Sequence, residues 1–183
     1  LFLSVNLRTS ETERLPMAYP KNMKDELGKY GSLTSPYFTM SEDRMVYNFS
    51  YSSQVYVAMK GADELQTFAM NSRATSNQSS PKDANIGQRN FKESFEYERM
   101  VLRFGEVNYD KQSDTYIRLH YDDRPSMFED RDIYLMVYKC RTGEMLEYEL
   151  PKEVTSRYFV VDGHVYFLLK NSADSHLYFA VVR

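Results

Sequence analysis

Residues 105 to 123, GEVNYDKQSDTYIRLHYDD, set an acid pair, a histidine, an arginine and three tyrosines within nineteen positions. The reaction such a set would suit is cleavage of a carbohydrate, in which two carboxyl groups at a defined separation break the glycosidic bond. Strand alternation divides the stretch. Tyr116, Arg118 and His120 fall on one face, and Ile117, Leu119 and Tyr121 on the other. An arginine in mid-strand among aromatics needs a partner if it is buried. Either it pairs with a Glu or Asp of a neighbouring sheet, or it faces a ligand at a rim that Asp122 and Arg124 help to form. Tyr116, Arg118, His120, Asp122 and Arg124 are therefore the candidate residues, as ligand contacts or as contacts between sheets. None is assigned a catalytic role.

The other reactive types read as structural. His120, His164 and His176 form no H-x-H or H-E-x-x-H spacing, and no Cys/His cluster stands near them, so no metal site or cofactor is expected. His164 follows a turn and His176 opens a strand. Cys140, the single cysteine, ends the apolar run IYLMVYKC and reads as a small buried or half-buried thiol; no intrachain disulfide is possible. Asp43, Asp110 and Asp162 recur at equivalent turns, where Asx-turn chemistry places aspartate. No G-x-S-x-G, S-x-x-K or glycine-rich phosphate loop occurs. The glycosylation sequons at Asn48 and Asn77 read as chance, Asn48 because it lies inside a strand.

The elements that hold these residues repeat. QVYVAMKGADELQTFAM (54 to 70) and IYLMVYKCRTGEMLEYEL (133 to 150) each read as strand, tight turn, strand, and LFLSVNLRTSETERLPM (1 to 17) has the same shape. YFTMSEDRMVYNFSYS (37 to 52) and GEVNYDKQSDTYIRLHY precede two of them as a shorter strand, a turn with Asp and a longer strand. In order, these give four-stranded antiparallel meanders: two strands within 1 to 17, a full unit at 37 to 70, another at 105 to 150, and a partial one at 158 to 183. Units of this length recurring along a chain are the signature of β-propeller blades. In IYLMVY and VYFLL neither alternation is polar, which suits a sheet covered on both faces. The fold expected is thus all-β, a partial propeller in one region, with a two-sheet β-sandwich as the alternative. Residues 18 to 36 are a linker with one or two helical turns. The second linker, 71 to 104, begins as a Ser- and Asn-rich surface loop and ends in a segment, 91 to 104, that reads as short helix or irregular strand.

Composition agrees. Sixteen Tyr and 11 Phe against 7 Gly in 183 residues is the aromatic usage of covered strands. A formal charge of −3, with Lys and Arg scattered singly, argues against nucleic acid or an anionic membrane as partner. LFLSVNL is too short for a signal core or a membrane span. The chain opens without an initiator Met, and is expected to be a fragment.

FGEVNYDKQSDTYIRLHYDD, IYLMVYKCRTGEMLEYELP and YFVVDGHVYFLL together resemble blades of the six-bladed β-propeller proteins of unknown function found widely in Bacteroidetes, many of them predicted lipoproteins. The resemblance covers residues 100 to 183 best and matches the C-terminal half of that family. It implies export, with a lipid anchor on a residue outside this chain, and carries over no catalytic residue. The function expected is a non-enzymatic extracytoplasmic binding or scaffolding module for a peptide, glycan or protein. The alternative is a propeller-type carbohydrate hydrolase or lyase.

Overall fold

Local strand pairing builds the fold in chain order, and the computed structural model describes residues 3–5, 7–14, 23–82, 91–170 and 178–180. A two-stranded hairpin of β1 (Leu3–Val5) and β2 (Thr12–Arg14) comes first. Three larger antiparallel sheets follow it.

The first sheet is a meander of β3 (Pro36–Met40), β4 (Arg44–Phe49), β5 (Gln54–Met59) and β6 (Leu65–Ala69), with neighbours in that order. In its first turn the Ser41 hydroxyl donates to Asp43 at 2.9 Å and Arg44 pairs with the same carboxylate, also at 2.9 Å. These hydrogen bonds, Arg44's above all, hold the Asp43 carboxyl down to about 2.

The second sheet has β7 (Arg103–Phe104), β8 (Asn108–Asp110), β9 (Thr115–Tyr121), β10 (Ile133–Lys139) and β11 (Glu144–Glu149). Its order is β11, β10, β9, with β7 and β8 both paired to β9. A single strand was expected near 105 to 109, and the break has a cause in the first sheet. The Asn48 amide donates to the Gly105 carbonyl (2.9 Å) and accepts from the Val107 amide (3.2 Å), drawing polar groups of that stretch away from β9. Gly105 also runs so close to β9 that a Cβ there would meet the Leu119 carbonyl at 3.1 Å.

The third sheet joins β12 (Val154–Val161), β13 (His164–Leu169) and β14 (Tyr178–Ala180). Its first strand begins at 154, four residues before the expected start, and is irregular between Val154 and Tyr158. Asp162 (φ 51°) and Gly163 (φ 73°) make the two-residue hairpin turn that positive φ at both positions favours.

Among the described residues two helices complete the elements. In α1 (Met23–Tyr30) the chain stops at Gly31, whose φ of 57° leaves the helix, and a 3-10 turn follows over Gly31–Thr34. The two-way reading of 91 to 104 resolves into α2 (Phe91–Met100) followed by β7.

Apolar clusters stack these layers. Tyr30, Leu33 and Val101 from the helical side pack with Tyr47 and Phe49 of the first sheet and with Tyr51 in the turn after β4, and the Tyr30 and Tyr51 rings stack at 4.5 Å. Val46, Val55 and Val57 meet Tyr116 and Met136 between the first and second sheets. On the opposite face of β9 and β10, Ile117, Leu119, Leu135 and Val137 meet Val165 and Phe167 of the third sheet. The middle sheet is therefore buried on both faces, with roughly 1.5–3 kcal/mol for each large apolar side chain removed from water.

Residues 71–82 are not the loose surface loop the Ser and Asn content predicts. Ser72 and Ser79 are buried, the Ser79 hydroxyl donates to the Leu102 carbonyl at 2.5 Å, and Ser72 bonds Glu147 of β11. Hydroxyls and amides let a polar segment satisfy its own backbone while crossing between sheets.

Candidate binding cleft

The face of β9 that carried the first suspicion is sealed. Tyr116, Arg118 and His120 are 5%, 0% and 0% exposed, lodged between the first and second sheets. The ion pair expected for Arg118 is absent: among the described residues no carboxylate pairs with it. Its Nη2 donates instead to the carbonyls of Met70 (2.7 Å) and Ser53 (3.2 Å), and its guanidinium lies 4.7 Å from the centre of the Phe104 ring. Backbone carbonyls just before β5 and just after β6 are what the stacking presents there, and they offer partial charge where a carboxylate would offer a full one. Burial pulls the arginine down to about 9, and its Nε and Nη1 have no hydrogen-bond partner.

His120 stands beside it. Its Nε2 lies 3.1 Å from the Thr75 hydroxyl and its ring 4.5 Å from that of Phe104. Burial, with the neighbouring Arg118 adding to it, pushes the imidazole down to about 3, so it stays neutral at ordinary pH. Tyr116 accepts from Arg44 Nη1 at 3.0 Å. Tyr116 and Arg118 join the first and second sheets, and His120 ties β9 to the 71–82 segment.

The remaining reactive groups are turn and packing chemistry. Asp110 accepts from the Ser113 amide at 3.1 Å, and His164 Nδ1 lies 2.8 Å from the Asp162 carbonyl oxygen. Cys140 is half-buried, and burial followed by the nearby Asp114 pushes its thiol up to about 11. Asn48 is fully buried and committed to Gly105 and Val107. His176 lies outside the described residues.

Asp122 and Arg124 lead elsewhere. The Asp122 carboxylate accepts from the Asp123 amide at 2.8 Å, and Asp123 in turn accepts from the Leu102 amide at 2.5 Å, tying the loop after β9 to the end of α2. Arg124 lines a cleft of about 380 Å³ between this loop, the α2 to β7 junction and the start of β12. Arg99, Arg103 and Arg131 line it too, with Lys170, while Glu129 and Asp130 oppose them. Five bases against two acids leave a local positive charge in a chain that is net negative.

Part of that charge is accounted for. Arg124 Nε donates to the Arg99 carbonyl at 2.8 Å, and Arg131 Nη2 bonds the same oxygen, so both cap the C-terminal end of α2. A helix end carries only about half a negative charge. Lys170 pairs with Asp130 at 3.0 Å. The four arginines form no ion pair among the described residues; Arg103 lies 4.8 Å over the Tyr121 ring, and Arg103 Nε and Arg131 Nη1 are buried with no hydrogen-bond partner. Burial first, then the nearby Arg103 and Arg124, lowers Arg131 to about 10. Tyr121, Ile133 and Val154 supply an apolar wall, and Thr155 and Ser156 supply hydroxyls.

Of this cleft the sequence reading found only Arg124. Arg99, Arg103 and Arg131 stand singly in the chain, and one signal marks them: each lies at or just outside an end of α2, β7 or β10, and β7 pairs Arg103 with Tyr121 at the end of β9. Among the described residues no group of His, Cys, Asp and Glu is arranged to hold a metal ion, and no described helix is long and apolar enough to cross a membrane.

Comparison with known proteins places the molecule without naming an activity. Residues 1–139 match the model of a domain of unknown function, DUF4221. A crystal structure of a DUF4221 family member from Bacteroides vulgatus superposes with a TM-score of 0.66 at 19% identity, covering 96% of this chain and 52% of that one. The chain therefore spans about half the length of its solved relative, and the likeness is one of fold. No curated protein matches it.

Proposed function

The chain belongs to the DUF4221 family, and from that premise we propose that it is a non-enzymatic, extracytoplasmic binding module whose sheets are successive blades of a propeller, with the arginine-lined cleft as its ligand site. The cleft carries the reading. It is the place where several charged side chains converge against an apolar wall at the edge of two stacked sheets, and its volume falls at the lower end of ligand pockets, about 300–1,000 Å³. Arg118 and His120, two of the contacts the sequence singled out, are enclosed between sheets and closed to a ligand.

The blade assignment is supported by the order of the sheets. Each follows its neighbour in sequence, and the middle one is covered on both faces, as radial packing of blades demands. Export, with a lipid anchor on a residue outside this chain, extends the resemblance noted in the sequence.

A thermal-shift screen of peptides, neutral and acidic sugars and small anions tests the binding reading. A ligand that raises the melting temperature of the chain, and no longer does so when Ser156→Trp fills the cleft, is the expected result. Turnover of any of these compounds would replace the reading with that of a hydrolase or lyase.

A further inference from the structure

We infer that the cleft recognises an oxyanion, the carboxylate or phosphate of a small ligand of about monosaccharide size, held between Arg103, Arg124 and Arg131. The inference rests on the reading that this cleft binds a ligand, and adds the ligand's chemistry.

Charge sets the class. Arg99, Arg103, Arg124 and Arg131 enter the cleft without an ion pair among the described residues, and its two acids are engaged in part, Asp130 by Lys170 and Glu129 by the Ser126 hydroxyl at 3.1 Å. Guanidinium groups gathered without an ion pair repel one another: burial lowers Arg131 first, Arg103 and Arg124 add to it, and the nearby Asp123 offsets only part. The carbonyl of Arg99 and the Tyr121 ring offer only partial negative charge. A planar guanidinium fork matches carboxylate and phosphate oxygens in pairs, which a lysine cannot do.

The walls set the size and the rest of the ligand. Tyr121, Ile133 and Val154 would face a ring or short aliphatic body, and Thr155 and Ser156 would meet its hydroxyls. Phe128, 94% exposed on the loop that carries Arg124 and Arg131, stands next in sequence to the lining residue Glu129. Lined this way the site suits a sugar acid or a sugar phosphate better than a neutral sugar.

Titration calorimetry on the full chain with D-glucuronate, inorganic phosphate and D-glucose separates the alternatives. Glucuronate or phosphate should bind at least about tenfold more tightly than glucose, since hydrogen bonds to a charged group are roughly twice as strong as neutral ones. If glucuronate binds and phosphate does not, the oxyanion is a carboxylate; the reverse makes it a phosphate. Arg103→Gln should weaken that binding by about tenfold or more, Arg103→Lys should restore only part of it, and the surface control Arg157→Gln should leave it unchanged. Circular dichroism of each variant confirms that it is folded. Glucose binding as tightly as glucuronate, still blocked by Ser156→Trp, would overturn the oxyanion and leave the cleft as a ligand site. Absence of binding by all three probes would overturn the inference, while a hit from the wider screen that Ser156→Trp abolishes would keep the proposed function.

Discussion

At the level of single residues, two ionisable groups are taken out of water with incomplete partnership, and each has a measurable sign. Arg118 is fully buried with only two carbonyls to receive it, and the Ser53 carbonyl already accepts from the Met70 amide at 3.0 Å. Replacing it with methionine leaves the Met70 carbonyl short of a donor, a cost of about 1–3 kcal/mol. It also removes a buried charge that no counter-ion offsets, a penalty of several kcal/mol. Arg118→Met should therefore raise the urea midpoint; a lowered midpoint would show that the two carbonyls and the Phe104 ring compensate the charge. An inter-sheet ion pair, the reading the sequence favours, would have given the opposite sign. His120 supplies the pH dependence. Its imidazole is neutral in the fold down to about pH 3 but takes up a proton near 6.5 when unfolded, so the unfolded chain binds more protons between those values and stability falls as pH falls through that window. The slope approaches 1.4 kcal/mol per pH unit. Denaturation midpoints of His120→Gln, followed from pH 7 to pH 4, should lack that component, and an identical slope in both proteins would refute it.

At the level of elements, Asn48 decides how the first sheet meets the second. It sits next to the end of β4, and its amide serves the carbonyl of Gly105 and the N–H of Val107 in the stretch that separates β7 from β8. Asn48→Ala leaves the buried Val107 N–H and the part-buried Gly105 carbonyl unpaired, an expected loss of about 1–3 kcal/mol in equilibrium unfolding, whereas an exposed position such as Gln66 should tolerate alanine. Here the limits of the sequence are physical. The nearly unbroken apolar runs in QVYVAM and IYLMVY made the long strands of both sheets legible, because a strand covered on both faces has no polar alternation. The splitting of the expected strand at 105 to 109 left no such mark, since it depends on a side chain fifty-seven positions away. Residues 71–82 misled for a related reason: their composition signals solubility, while their hydroxyls are spent on Leu102, His120 and Glu147 of other elements.

At the level of the whole molecule, antiparallel sheets stacked in chain order were readable from repeats, and the cleft was not. Its arginines are far apart in sequence and belong to a chain of net negative charge, so composition pointed away from an anion site that only the convergence of α2, β7 and the loop after β9 creates. The same convergence has a thermodynamic meaning. The first and second sheets are joined by Asn48, Arg44 and Arg118 across their apolar contact, while the second meets the third through apolar packing with the Tyr158 hydroxyl as a buried polar link, accepting from Asn108 at 2.8 Å and donating to the Glu106 carbonyl at 3.2 Å. The cleft opens along that second seam, with Arg103 and Tyr121 on one side and Val154 to Ser156 on the other. Anything that occupies it touches both sheets at once, so occupancy and cohesion are linked: each increment of ligand affinity for the closed arrangement is an equal increment of resistance to the sheets parting.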